Sequence, residues 1–245
     1  MGRWGDIWET IEETEIGGST YMFDYYKEFL GKGFRGKKIL EIGCGTGVNS
    51  ILMASAGAKV SVMDFSKEAL DVVKKLAGNL NIEYMHMDMF TSDIENEFDV
   101  VHSEGVVEHY LMPRRQEVLD IHTKAVKKCG KVLIIVPNAR CVPYRIGKRV
   151  ADRLGLWIYG NEYPYTEREL IHRMKRSGLV YEKSLGGEFL LSFPWVAAPL
   201  WLSRYGKFLS KGLSSGVNRS FYRMNYNNYF ANRWGRAIGV LGRKV

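Results

Sequence analysis

The stretch Ile39-Leu-Glu-Ile-Gly-Cys-Gly-Thr-Gly47, with the next apolar run ending at Asp64, restricts this chain to few folds. Lys37 to Ile42 has the length and aliphatic content of a short buried strand, Gly43 to Gly47 reads as a tight turn, and Thr46 to Ala56 as the helix that follows. Such a turn can bring backbone N–H groups and a helix N-terminus against a ligand. The second strand, Lys59-Val-Ser-Val-Met-Asp64, puts a carboxylate at its carboxyl end, where an open α/β sheet binds ligands and where an acid can accept two ribose hydroxyls.

The spacing narrows the nucleotide. A dinucleotide fingerprint G-x-G-x-x-G needs glycine at position 48 after Gly43 and Gly45, but that residue is Val48 and the third glycine comes early, at Gly47. This disfavours NAD. Glu41-Ile-Gly-Cys-Gly-Thr-Gly47 instead resembles the first motif of the class I S-adenosylmethionine-dependent methyltransferases. Asp64 stands where that family's ribose-binding acid stands, Met87-Asp88-Met89 resembles the later acidic motif that accepts from the adenine amino group, and Phe98-Asp-Val-Val-His-Ser103 resembles the fourth strand, whose end lies beside the methionine part of the cofactor. The resemblance covers about residues 37 to 186 and a last strand at the carboxyl end. It implies S-adenosyl-L-methionine as cofactor and S-adenosyl-L-homocysteine as product, held by Glu41, Gly43, Gly45, Asp64, Phe65, Asp88, Met89 and Ser103.

A chain of 245 residues that is 46% hydrophobic and 13% aromatic can bury the core of a single α/β domain with insertions. Arg3, Asp6, Glu9, Glu12 and Glu13 interrupt the amino terminus, and no uncharged apolar run reaches the ~18 residues of a membrane span, so a cytoplasmic protein is expected. Cys44, Cys129 and Cys141 lack C-x-x-C spacing and are odd in number, which suits reduced thiols; Cys44 reads as a small packing residue rather than a nucleophile.

Strands and helices alternate to residue 186. After Leu80 come strands over 81–87 and 98–103, a helix over 113–128 with Pro113 in its first turn, and the apolar strand 131–136. Thr166-Glu-Arg-Glu169 has the form of a capping box and starts a helix that runs to Ser177, with Gly178 as its stop and strand 179–185 beyond it. Residues 236–245 supply a seventh strand, which in the resembled family inserts antiparallel between strands five and six. The expectation is therefore a Rossmann-like, doubly wound α/β fold with a mostly parallel seven-stranded sheet. Residues 1–33 form an N-terminal helical cap, 37–137 the cofactor-binding core, and 138–165 and 187–232 insertions on the acceptor side. Within the cap, Tyr21 or Tyr25 is a candidate to close the site, beside a plain core-packing role.

Charge is uneven: residues 1–188 sum to −1 and the last 57 to +9, because no acidic residue follows Glu188. If 200–213 is helical, Trp201, Tyr205, Phe208 and Leu209 fall on one side, and Arg204, Lys207 and Lys211 form a separate stripe. Three readings stay open for this tail: an apolar face packed on the sheet with a solvated basic face, peripheral membrane or lipid contact through 189–213, and contact with RNA or another polyanion. Pro194, Pro199 and the apolar run before the helix favour lipid over nucleic acid.

Methyl transfer from a sulfonium is an in-line displacement, so a base is needed only where the acceptor must lose a proton. His109, in Ser103-Glu-Gly-Val-Val-Glu108-His109 after the fourth strand, is the best base candidate, with Glu108 or Glu104 to orient it. The pair resembles the metal-binding E-x-x-E-H of some O-methyltransferases of quinone precursors and of RNA ends, but Gly105 stands where its first acid should be, so no metal is expected. No N-P-P-Y or D-P-P-Y tetrapeptide follows this strand, which removes the family's usual signature for amino-methylation of a nucleobase. Arg140, Arg145, Lys148 and Arg149 could meet a carboxylate or phosphate on the acceptor side, or be solvated surface charge. The expected activity is methyl transfer to oxygen or carbon of a small or lipid-like acceptor. An RNA methyltransferase and a non-catalytic cofactor-binding partner or regulator are the alternatives.

Overall fold

The computed structural model describes residues 19–31, 33–189, 226 and 228–245. Residues 1–18 of the expected N-terminal helical cap, the helix expected over 200–213, and most of the 187–232 insertion lie outside the described residues. Seven strands form one sheet: β1 (Lys38–Ile42), β2 (Lys59–Asp64), β3 (Ile82–His86), β4 (Phe98–Glu104), β5 (Val126–Pro137), β6 (Leu179–Gly187) and β7 (Ala237–Lys244), in the spatial order β3-β2-β1-β4-β5-β7-β6. The first five are parallel, and β7 is antiparallel to both β5 and β6. The direction of the chain reverses at β1, with β2 and β4 on its two sides, and this switch point is where ligands bind in open sheets of this kind.

Helices cover both faces. α1 (Ser19–Leu30), α2 (Val48–Ser55) and α3 (Lys67–Ala77) lie on one; α4 (Arg114–Ala125) and α6 (Glu167–Arg176) on the other. Because side chains alternate along a strand, Ile39, Val60, Val62, Val100, Leu133 and Leu241 join the first layer, while Leu40, Val101, Val132, Ile134 and Val240 join the second. Both faces being buried, these strands read as continuous aliphatic runs. Each fully buried Val, Leu or Ile contributes about 1.5–3 kcal/mol.

Thr166 caps α6 by accepting from the Glu169 N–H at 3.2 Å, and Gly178 turns the chain with φ +90°. Glu169 does not reach back as in a full box; its Oε1 takes the Nε groups of Arg115 and Arg173, each at 3.0 Å. The helix expected over 113–128 stops at Ala125. Val126 already pairs with Phe98, and the carbonyls of Thr123 and Val126 accept from the Lys244 ammonium at 2.7 and 3.0 Å. Two lysines in sequence, Lys127 and Lys128, look helical, but the chain has entered the sheet. Within the 138–165 insertion the chain forms α5 (Val142–Arg153), and the short α7 (Tyr229–Trp234) precedes β7.

No helix among the described residues is long and apolar enough to cross a membrane.

Candidate functional site

The turn after β1 is pinned to the neighbouring strand. The N–H groups of Gly43 and Cys44 both donate to Met63 O, at 2.8 and 3.1 Å, and the Gly45 N–H donates to Asp64 Oδ2 at 3.2 Å. Gly43, Gly45 and Gly47 all have positive φ, which a side chain would oppose. At Gly47, the left-handed residue before α2, a Cβ would also come within 2.7 Å of Val73 Cγ2. No side chain caps α2, so its first turn offers bare N–H groups at the carboxyl edge of the sheet. Asp64 is buried, which raises its carboxyl, while the N–H groups of Ser66 and Gly45 work the other way.

Period-two alternation along β4 divides its end between the two faces. His102 and Glu104 point to the α1/α2 side, where Glu41 lies; Ser103 points the opposite way, its hydroxyl 2.9 Å from His122 Nε2 under α4. The Ser103 side chain is thus engaged in the core and is not brought together with Glu41, contrary to the placement the fourth-strand resemblance implied.

On the α1/α2 side the polar groups form one cluster. His102 is fully buried, with Nδ1 at 3.3 Å from Tyr26 Oη and Nε2 at 3.3 Å from Ser50 Oγ. Glu104 Oε2 accepts from Asn49 Nδ2 at 3.2 Å and from Tyr26 Oη at 3.4 Å. Burial pushes His102 down to about 3 and Glu41 up to about 8, so their 3.9 Å contact joins two neutral groups near pH 7 rather than an ion pair. Burial first, and then Glu188, push Glu104 up to about 7 against the pull of Arg236. Two acceptor atoms of this cluster are buried without a partner: Glu41 Oε2 and Asn49 Oδ1. A buried polar atom left unpaired costs on the order of 1–3 kcal/mol. Both atoms therefore suit a ligand that brings donors, an ammonium above all. Cys44 nearby is buried and its thiol is pushed up by that burial, which fits packing and not nucleophilic attack.

Sequence reasoning missed Asn49 and Tyr26. Asn49 follows the glycine turn by two residues, a position where the helix start itself was the signal. Tyr25, one of the two candidates to close the site, packs against Phe29 and Tyr226 and donates to Leu185 O, leaving its neighbour Tyr26 to reach the cluster. One residue is a 100° turn of a helix, finer than a periodicity reading resolves. Tyr21 lies in α1, but its side chain is outside what the structure describes.

At the far end of the sheet, Phe65 is exposed next to Asp64, and Asp88 caps a single turn over Met89–Thr91 by accepting from the Phe90 N–H at 3.0 Å. Met89 is buried beneath it. Asp64, Phe65, Asp88 and Met89 thus follow the ends of β2 and β3, beside the glycine turn.

A second acidic group lies past β4. Glu108 and His109 sit in the single turn Val107–His109, and the Glu108 backbone carbonyl accepts from the Tyr163 N–H at 2.8 Å, tying this turn to the insertion. Glu108 is buried, its Oε2 has no partner, and burial raises its carboxyl strongly. Glu162, raised by burial, bonds the Tyr144 hydroxyl from α5. The ligand atoms of Glu108, His109 and Glu162 lie within 4.8 Å of one another, so these three could hold a cation. Sequence spacing had only Gly105 to offer for a third acid; the fold brings Glu162 from the insertion, which no local motif announces. His109 Nδ1 faces Asn161 O at 2.8 Å and Nε2 faces Gly105 O at 3.1 Å. Arg236, paired with Glu188, keeps its charge despite burial and adds the positive field in this acidic region. Of the four basic candidates, Lys148 lies near enough to Glu162 to favour its carboxylate while pairing with Asp152 at 2.7 Å, whereas Arg140, Arg145 and Arg149 are exposed.

Comparison with known proteins agrees with this layout. Residues 15–184 match the family model described as a methyltransferase domain. The mitochondrial ubiquinone biosynthesis O-methyltransferase of Schizosaccharomyces pombe is 37% identical over 126 residues, 49% of this chain and 42% of that protein. The ubiquinone biosynthesis O-methyltransferase of Idiomarina loihiensis is 28% identical over 130 residues, 51% of this chain and 53% of that protein. The chain thus spans about half the length of these curated relatives. Among solved structures, an S-adenosylmethionine-dependent methyltransferase from Thermotoga maritima superposes with a TM-score of 0.64 at 14% identity, covering 94% of this chain and 92% of that one.

Proposed function

Because the chain belongs to the methyltransferase-domain family, we propose that it transfers a methyl group from S-adenosyl-L-methionine to an oxygen of a small, lipid-like acceptor. The observation that carries the cofactor half of this reading is the pair of orphaned acceptors, Glu41 Oε2 and Asn49 Oδ1, beside the pinned glycine turn. They fit the amino group of the methionine end; Asp64 fits the ribose hydroxyls; Phe65, Asp88 and Met89 fit the adenine. Gly43 and Gly45 shape the turn, while Ser103, at the end of β4, has its hydroxyl held by His122. When bound, the cofactor supplies a methyl group made electrophilic by its sulfonium.

The names of the relatives support the acceptor half: those proteins are O-methyltransferases of ubiquinone biosynthesis. In an O-methylation the acceptor oxygen forms the new bond to carbon as the carbon–sulfur bond breaks, and the hydroxyl proton must go elsewhere. His109 is the residue proposed to take it: one ring nitrogen keeps its carbonyl partner, Asn161 O or Gly105 O, and the acceptor hydroxyl replaces the other carbonyl to reach the second nitrogen. Glu108 and Glu162, both carboxyls raised by burial, lie beside it. Tyr144 orients Glu162 from α5.

The test is transfer of a labelled methyl group from S-adenosylmethionine into an extract of the source cell, followed by partition between organic solvent and water. Label in the organic phase is expected, with a loss of about a hundredfold or more in His109→Ala, the low end of a general base's contribution. Label confined to the aqueous phase and removed by ribonuclease would replace this reading with RNA methylation. Cofactor binding without any transfer would leave a binding module.

A further inference from the structure

We propose that the outer face of α5 docks this protein on an anionic membrane surface. A helix packed on a globular core buries its large aliphatic residues and exposes its small and polar ones. α5 does the reverse. Its inward face is Tyr144, Gly147 and Ala151, all buried, while Val142, Ile146 and Val150, continued by Leu154 just past its end, are 37–60% exposed. Their spacing of four places them in one continuous row along the helix.

Beside that row runs a second one, Arg145, Arg149 and Arg153, also exposed, and no carboxylate pairs with any of the three among the described residues. The helix cation that does find a partner, Lys148, bonds Asp152 on the flank. An apolar row and a row of arginines without carboxylate partners, side by side on the solvent face, match a bilayer boundary. Aliphatic side chains enter the acyl region while guanidinium groups stay with phosphates. Ile158 adds a further exposed aliphatic side chain after the helix. A protein partner would have to supply both a groove and a row of acids; an anionic lipid surface supplies both chemistries everywhere.

The inner face of the same helix carries Tyr144, whose hydroxyl bonds Glu162 in the acceptor-side cluster. Docking through α5 therefore sets that cluster against the bilayer, where an apolar acceptor resides. The docking itself does not depend on which acceptor is used or on whether any methyl group moves.

Flotation of the full chain with vesicles of mixed phosphatidylcholine and phosphatidylglycerol reads the proposal directly. The wild-type chain should float with the anionic vesicles and release with added salt. Ile146→Ser/Val150→Ser should lower partitioning by about tenfold or more, from the lost burial of two aliphatic side chains. Arg149→Gln/Arg153→Gln should weaken binding to anionic vesicles and flatten its salt dependence. All four side-chain changes are at the surface, and circular dichroism should show each variant folded. Wild-type chain that stays with the unbound fraction would overturn the proposal. So would folded variants that float like wild type, which would assign membrane contact to another part of the chain. So would light scattering that shows a dimer dispersed by Ile146→Ser/Val150→Ser, which would make the row an interface between two copies.

Discussion

Glu41 carries a large electrostatic cost in the cofactor region, and that cost is informative. Its carboxyl is buried at the base of the glycine turn, pushed up to about 8, with one oxygen unpaired. A cationic group placed against it favours the carboxylate, so a ligand bearing an ammonium must displace the proton that Glu41 holds at neutral pH. Titration of S-adenosylmethionine at about pH 7 in buffers of different ionisation enthalpy should show net proton release, and affinity should increase as pH rises toward 8. Glu41→Gln should bind more weakly and release fewer protons; an unchanged proton count would show that the ammonium lies elsewhere. Ser103 illustrates the opposite case: the strand's register, not its residue type, decides that its hydroxyl serves His122.

Among the elements, the β1–turn–α2 unit was fully legible in the sequence, because glycine at left-handed positions and an uncapped helix start are chemical requirements of a local segment. The same holds for the Thr166 cap. Other features were set by neighbours distant in the chain: the early end of α4, fixed by Val126 pairing with Phe98; the arrival of Glu162 beside Glu108; and the inversion of α5, whose aliphatic residues face outward. The candidate site divides the same way. Glu41, Gly43, Gly45 and Asp64 follow from one motif, whereas Asn49, Tyr26 and Glu162 appear only once the strands are ordered. Gly47→Ala tests the local requirement. The left-handed φ and the approach to Val73 both oppose a methyl group there, so unfolding should cost roughly 1–3 kcal/mol less in denaturant melts. An unchanged midpoint would mean that the turn relaxes freely and that the close packing of α2 on α3 is not required.

At the scale of the whole molecule, buried titratable groups on both faces of β4 give stability a definite pH profile. His102 and His122 are pushed down to about 3 and about 4, so they contribute stability that is present above their ordinary value near 6.5 and lost as pH falls toward 3. Glu41 and Glu104 act the other way. Raised to about 8 and about 7, they hold protons in the folded chain that the unfolded chain has released, so they remove stability as pH rises from about 4.5 toward 8. Above about pH 6.5 only the carboxyl effect operates, and the midpoint of thermal unfolding of the ligand-free protein should fall between pH 6.5 and 8. Glu41→Gln should flatten that fall, and a midpoint that rises over this interval in the wild-type chain would contradict the burial of these carboxyls.

The central claim is that the carboxyl edge of β1 and β2 holds S-adenosylmethionine. Its most direct test is calorimetric titration of that cofactor into the wild-type chain and into Asp64→Ala, with circular dichroism to confirm that both are folded. Asp64 accepts from Gly45 and Ser66 and stands at the end of β2. One-to-one binding by the wild-type chain and a loss of about tenfold or more in the variant are predicted, the loss of hydrogen bonds to a charged acceptor being worth at least 1.4 kcal/mol. No binding by the wild-type chain, or equal affinity in the two proteins, would contradict the account.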